Sequence, residues 1–187
     1  HIQTIIMLAN IIEARDAYTR DHVQRVQALA IELGNALGWT PEAMVTLEYG
    51  SLLHDIGKIA IPETILNKPD RLTQQEFETI QSHTLVGAKI LENIPHLRGA
   101  IPYVRYHHER WDGTGYPDGM AGEDIPLEGR LMAIVDFFDA LTSERSYHKN
   151  LPIEQVLGMI RDNAGKHFDP IMADVFITLQ EEKIKKA

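Results

Sequence analysis

An all-α fold is predicted by three features of this sequence. Apolar residues recur three and four positions apart, helix-start signals punctuate the chain, and no segment alternates apolar and polar residues as a half-buried strand would. The 187 residues suit one domain spanning 1–187, long enough to bury a real core. Val26, Leu29, Ala30, Leu33 and Leu37 form one helical stripe, and Gly38 follows as its stop. Thr40-Pro41-Glu42 reads as an N-cap with proline at the first helical position, opening a helix through Leu47 toward His54. Pro62, Asn67, Pro69 and Asp70 mark an irregular stretch. Thr73-Gln74-Gln75-Glu76 is a capping box, and the helix it opens carries Ile80, Val86 and Ile90. An apolar segment spans roughly Leu97 to His107. Residues 108–126 hold Gly113, Gly115, Pro117, Gly119, Gly122 and Pro126, which predicts either a long ordered loop, of the kind that often carries function, or no structure at all. Helical patterning resumes at Leu127 and runs to about Ser143. Two more helices are expected near 152–162 and 171–184, the last capped by Asp169-Pro170.

Composition narrows the chemistry. A net charge of −9 argues against a partner such as polymeric nucleic acid, which needs a basic surface. It leaves room for a small anionic ligand held by metal and a few cations. No run of about 18 apolar residues exists to make a membrane span. Cysteine is absent, which excludes disulfides, thiolate metal sites and cysteine nucleophiles, and leaves nine histidines as the ligand supply. The sequence opens on His1 without a signal-peptide pattern. The expectation is a piece of a longer protein, with an upstream sensory or regulatory domain, working in the reducing cytoplasm.

Four places attract attention as candidate sites. His54-Asp55 could grip one metal, or Asp55 could bridge to a second, while Lys58 lies four residues after His54 and three after Asp55, where a cation could hold a phosphate oxygen. Taken alone, the pair is better read as an ordinary helix end, with Gly57 as its cap and Lys58 solvated. His22 lies on the stripe of Val26, Leu29 and Leu33 and faces the core, where a histidine more often packs than ligates. Asp136 stands in the apolar run Leu131-Met132-Ala133-Ile134-Val135-Asp136-Phe137-Phe138, a costly place for a carboxylate without a metal, a salt bridge or a helix end beside it. His107 and His108 are neighbouring imidazoles that would repel if both were charged, and a metal wants them neutral.

The ordered set His22, His54-Asp55, Asp136 resembles the H…HD…D pattern of the HD phosphohydrolase superfamily, and the longer motifs resemble its HD-GYP branch. These motifs are His54-Asp55-Ile56-Gly57-Lys58-Ile59, the stretch from His107-His108-Glu109-Arg110-Trp111-Asp112 through Gly113-Thr114-Gly115-Tyr116-Pro117-Asp118-Gly119, then Asp136-Phe137-Phe138-Asp139-Ala140-Leu141-Thr142-Ser143 and Gly165-Lys166-His167-Phe168-Asp169-Pro170. The likeness covers about Glu13 to Phe176. It implies a helical bundle in which His22, His54, Asp55 and Asp136 form a first metal site. Asp55 then bridges to a second site made by His83, His107 and His108. Lys58 contacts substrate phosphate, with Arg145 as a second candidate. The resemblance favours two divalent ions, iron or manganese. The chain departs from the common pattern at Glu144-Arg145-Ser146-Tyr147-His148, where His148 stands in place of a frequent arginine. Tyr18 stands where a subset of the family carries a glutamate tied to a third metal, so two ions are expected, although Asp139 could still offer an oxygen.

The activity this implies is hydrolysis of cyclic di-GMP at a two-metal centre, giving linear pGpG first, with further cleavage to GMP left open. A hydrolase of another cyclic dinucleotide or nucleotide would share the metal residues. A catalytically weak sensor module is a third reading, disfavoured because every ligand position of the family pattern is filled. The resemblance also admits GGDEF-type signalling proteins as partners at the Gly-Tyr-Pro loop, and a homodimer. Trp111 could stack on a base, with packing as its other role, and His1, His96 and His167 remain unassigned.

Overall fold

The computed structural model describes residues 2–15, 22–143 and 150–186, and among them every regular element is helical. The α-helices are α1 (Ile2–Glu13), α2 (His22–Ala36), α3 (Pro41–Leu53), α4 (Glu63–Leu66), α5 (Gln74–Gln81), α6 (His83–Glu92), α7 (Ile101–Tyr106), α8 (Leu127–Thr142), α9 (Ile153–Asp162) and α10 (Pro170–Lys186). Short 3-10 turns occupy Ile56–Ala60, Pro95–Ala100 and Gly122–Asp124. No helix of the described residues is long and apolar enough to cross a membrane.

The helix boundaries follow from local chemistry. Past α2, Gly38 takes a φ of +71°, a left-handed conformation cheap only for glycine. The Thr40 hydroxyl accepts the Ala43 N–H with Pro41 in the first turn of α3. Both halves of the box between Thr73 and Glu76 are present at the start of α5. Asp169 Oδ1 accepts the N–H groups of Ile171 and Met172, at 2.9 and 3.1 Å, at the start of α10.

Two expectations need correction. The segment carrying Ile80, Val86 and Ile90 is not one helix: α5 and α6 meet at Ser82, whose hydroxyl donates to the Thr79 carbonyl at 2.6 Å. Such side-chain bonds compete with the helical ladder. In addition, α3 stops at Leu53, and Lys58 belongs to the 3-10 turn that follows. Three residues make one turn there, so Lys58 still stands over Asp55, its N–H bonded to the Asp55 carbonyl at 2.9 Å.

The core has two parts. One gathers Val26, Leu33, Leu47, Tyr103, Leu131, Ile134 and Phe176; the other gathers Ile5, Val23, Leu52, Leu53, Leu91 and Val104. Fully burying a leucine such as Leu33 or Leu47 contributes about 1.5–3 kcal/mol. Three helices feed both parts: α2 through Val26 and Val23, α3 through Leu47 and Leu52, α7 through Tyr103 and Val104. His22, His54 and His107 sit on or directly after those helices, so the packing of both cores fixes their positions.

Candidate metal centre

Two groups of side chains converge at this seam. His22, His54 and Asp136 each offer one ligand atom lying within 4.8 Å of the others, and so do Asp55, His83, His107 and His108. Every candidate ligand read from the sequence therefore falls in one group or the other. The sequence reading put Asp55 with His22, His54 and Asp136 as well as with the second group, and its carboxylate does face both ways. Oδ1 lies 3.3 Å from His83 Nε2 and 3.7 Å from His107 Nε2, while Oδ2 lies 3.5 Å from His54 Nε2. Lys58 Nζ stands 2.7 Å from the same Oδ2. Arg145, Tyr18 and His148 lie outside the described residues.

One local device orients three of the rings. Nδ1 of His54 donates to the Ser51 carbonyl at 2.8 Å, Nδ1 of His83 to the Ile80 carbonyl at 2.7 Å, and Nδ1 of His107 to the Val104 carbonyl at 2.9 Å. In each case the acceptor is three residues back. A carbonyl only accepts, so the neutral ring keeps its proton on Nδ1 and turns the Nε2 lone pair toward the cluster. His22 reaches the same state by another route, donating from Nδ1 to Asp139 Oδ2 at 2.7 Å.

These lone pairs call for a cation. His54 Nε2 is buried with no hydrogen-bond partner among the described residues. Nε2 of His83 and Nε2 of His107 face each other at 3.4 Å with no proton between them when both rings are neutral. Imidazole nitrogens and carboxylate oxygens, with no sulfur available, make a donor set suited to a divalent metal.

The electrostatics agree. Burial pushes His54 down to about 4 against the fields of Asp55 and Asp136. Burial, then the neighbouring rings of His107 and His83, hold His108 well below the usual histidine range. Burial alone would raise the Asp55 carboxyl, yet Lys58 and then His54 hold it well below the carboxylate range. His22 moves the other way. Burial opposes its charge, but the hydrogen bond to Asp139 and the charges of Asp136 and Asp55 prevail and raise it, so a cation competes with a proton at that ring.

Two buried carboxyl groups carry more of the local structure than sequence reasoning gave them. Asp139, rather than Asp136, is the deeply buried carboxylate of α8: its side chain is 3% exposed against 23% for Asp136. Its oxygens accept from His22 Nδ1, from Arg25 Nε at 2.6 Å and from Ser143 Oγ at 2.9 Å. Burial would raise its pKa, but the bonds from His22 and Arg25 bring it to about 2. Thus engaged, Asp139 has little capacity left for the extra ion considered from the sequence. Glu109 is buried too. Its Oε1 accepts the N–H groups of Asp118 and Gly119 at 2.7 and 3.1 Å, and its Oε2 accepts that of Met120 at 3.1 Å. The only sequence signal for it was its place beside His107-His108.

The loop of residues 108–126 is ordered, the first of the two alternatives that its glycines and prolines left open. Glu109 anchors it from below, and Trp111 and Asp112 donate their N–H groups to the carbonyls of His167 and Lys166 at 3.1 and 2.8 Å. A side chain on Gly115 would place a Cβ 2.4 Å from the Arg110 nitrogen, so the loop closes on itself only with glycine there. The Tyr116 ring stacks on the candidate ligand His108, with centroids 4.8 Å apart. Trp111 packs under the Arg130 guanidinium, 5.6 Å from the ring centre.

Comparison with known proteins follows the same lines. An HD domain family model matches residues 6–172. The chain is 37% identical over 182 residues to a cyclic di-GMP phosphodiesterase of Thermotoga maritima, covering 96% of this chain and 50% of that protein. It is 38% identical over 184 residues to a 3'3'-cGAMP-specific phosphodiesterase of Vibrio cholerae, covering 97% of this chain and 35% of that protein. The chain thus spans half the length, or less, of these relatives. A crystal structure of a cyclic GMP-AMP specific phosphodiesterase of V. cholerae superposes with a TM-score of 0.71 over 95% of this chain and 48% of that one, at 20% identity, which shows a shared fold. With its motifs running from His54-Asp55 to Gly115-Tyr116-Pro117, this chain belongs to the HD domain family and to the HD-GYP branch within it.

Proposed function

We propose that the domain is a metal-dependent phosphodiesterase that hydrolyses cyclic di-GMP to linear pGpG and onward to GMP. The observation that carries this reading is the Asp55 carboxylate, which turns one oxygen to each candidate ligand group and holds Lys58 against one of them. His22, His54 and Asp136 would hold one ion, and His83, His107 and His108 another, with Asp55 shared. Iron or manganese suits the nitrogen and oxygen donors. Bound there, such ions would supply Lewis acidity toward a phosphodiester and toward water.

The chain's own groups do the rest. The Lys58 ammonium, paired with Asp55 and 19% exposed at the edge of the cluster, would reach an anionic phosphate oxygen there and neutralise the charge that builds on it. With Lys58 beside it, the Asp55 carboxyl is held well below the usual carboxylate range, which favours the ionised form that a metal needs. Arg145 is the second phosphate contact in this proposal. GGDEF-type partners at the Gly-Tyr-Pro loop, a homodimer and a cytoplasmic setting belong to the same reading, and rest on the family likeness and the lack of cysteine.

A second substrate has specific support. The relative named for 3'3'-cGAMP matches at 38% identity, level with the one named for cyclic di-GMP at 37%. Both dinucleotides should therefore be offered to protein loaded with iron(II) or manganese(II) under reducing conditions, with products separated by chromatography. The proposal expects pGpG and then GMP from cyclic di-GMP. Preferential cleavage of the mixed dinucleotide would transfer the assignment to that substrate, and binding without cleavage of either would leave a sensor module. In Lys58→Ala, the metal content should be unchanged and turnover lower by roughly 10²-fold, the scale of removing one transition-state donor.

A further inference from the structure

We propose that Arg15 is a positioning residue for Lys58, and that it ties the placement of α1 to turnover; the proposal rests on Lys58 acting on substrate phosphate. Arg15 lies just past the C-terminal end of α1. Its guanidinium spreads over the far end of the 3-10 turn that carries Lys58. Nη1 donates to the Ile59 carbonyl at 2.8 Å and, at 3.4 Å, to that of Lys58 itself, while Nη2 donates to the Ile61 carbonyl at 3.1 Å. In return, Asn67 Nδ2 donates to the Arg15 carbonyl at 2.8 Å. The two strips of chain are therefore laced in both directions across more than forty residues of sequence.

The physical need is clear from the turn. A 3-10 segment is a poor holder of its own shape, and its last carbonyls lack helical partners. One guanidinium offers a rigid fork of donors that satisfies several carbonyls at once, which a lysine's compact charge does not match. The Lys58 carbonyl already takes the Ile61 N–H at 3.0 Å, and Arg15 closes the same end from outside. Loosening it would let the Lys58 backbone drift while leaving His22, His54, His83 and His107, each held through its own Nδ1 bond, in place. Because Arg15 follows directly on α1, whose Ile5, Ala9 and Ile12 are buried against the body, a shift of α1 moves the clamp.

A double-mutant cycle tests this. Arg15→Ala should lower kcat/KM for cyclic di-GMP about tenfold in the wild-type background, and by no more than about twofold when Lys58 is already alanine. Metal content should stay at the wild-type level. Amide exchange over residues 56–61 should quicken in Arg15→Ala and, less so, in Arg15→Lys, which keeps a charge and secures the fold. Equal losses in both backgrounds, or unchanged exchange, would overturn the proposal. A wild-type protein that cleaves no cyclic dinucleotide would overturn the activity reading instead, and the exchange measurement would still decide whether Arg15 holds the turn.

Discussion

His22 and Asp139 are bonded at 2.7 Å between Nδ1 and Oδ2, both side chains almost wholly buried, although 117 residues separate them in sequence. The pair fixes which nitrogen of His22 is left for a metal. In Asp139→Asn, an uncharged amide replaces the carboxylate that also receives Arg25. We expect metal affinity at the His22 group to fall about 10- to 100-fold, the usual cost of losing a partner behind a ligating histidine. Metal retained after dialysis against graded chelator measures this, and full retention would show that the pair is only structural.

Asp55→Ala should empty both ligand groups together, since its oxygens lie 3.3 Å from His83 Nε2 and 3.5 Å from His54 Nε2. Elemental analysis of the purified variant checks this. Loss of metal from one group alone would mean that the carboxylate belongs to that group.

Gly57→Ala makes a different break. The added Cβ would lie 1.8 Å from the backbone oxygen of His83, a collision of a side-chain atom fixed by its own backbone with another backbone, which no rotamer relieves. Either α6 or the 3-10 turn must retreat, carrying His83 away from Asp55. Expected are a loss of about 3 kcal/mol in stability, the upper range for overpacking, and weaker metal binding at the group containing His83. Denaturant melts and metal titration measure the two effects separately.

His167 gives a pH test clear of the candidate ligands. Its ring stacks on Phe168 and meets Phe137 edge-on, and burial brings its pKa to about 4. A histidine depressed in the folded state favours unfolding once protonated. Its contribution is therefore complete above the unfolded value near 6.5 and is lost as pH falls toward 4. Replacing His167 by Gln should flatten that part of the stability curve, and ring signals followed by NMR should show His167 uncharged at pH 5.5. A ring already titrated at pH 6 would contradict this.

Local signals were legible in the sequence and distant ones were not. Thr40, Thr73, Gly38 and Asp169 mark helix ends because a cap acts within three residues. The histidines and carboxylates of the two groups came from the family resemblance, which needs no knowledge of packing; His83, which lies in none of the long motifs, had no other signal. Asp139 was less so, because what distinguishes it from Asp136 is a partner on α2. The break at Ser82 was missed because the apolar pattern continues across it, and only a side-chain bond back to Thr79 marks the change. The lacing of Arg15 to residues 58–61 joins two stretches that neither periodicity nor composition connects.

The three N–H groups that converge on Glu109 have a consequence for anyone wishing to transplant the Gly-rich loop. The loop's turns are held by a side chain that comes before them in the chain, next to His107 and His108, and not by the glycines and prolines alone. A graft that takes only residues 113–119 would move the letters and leave the mould behind. The smallest portable unit begins at His107 and runs through Ala121, whose bridge to Asp112 closes the far side. In a host scaffold, that unit would also need a surface such as the 166–167 turn to receive the Trp111 and Asp112 amides.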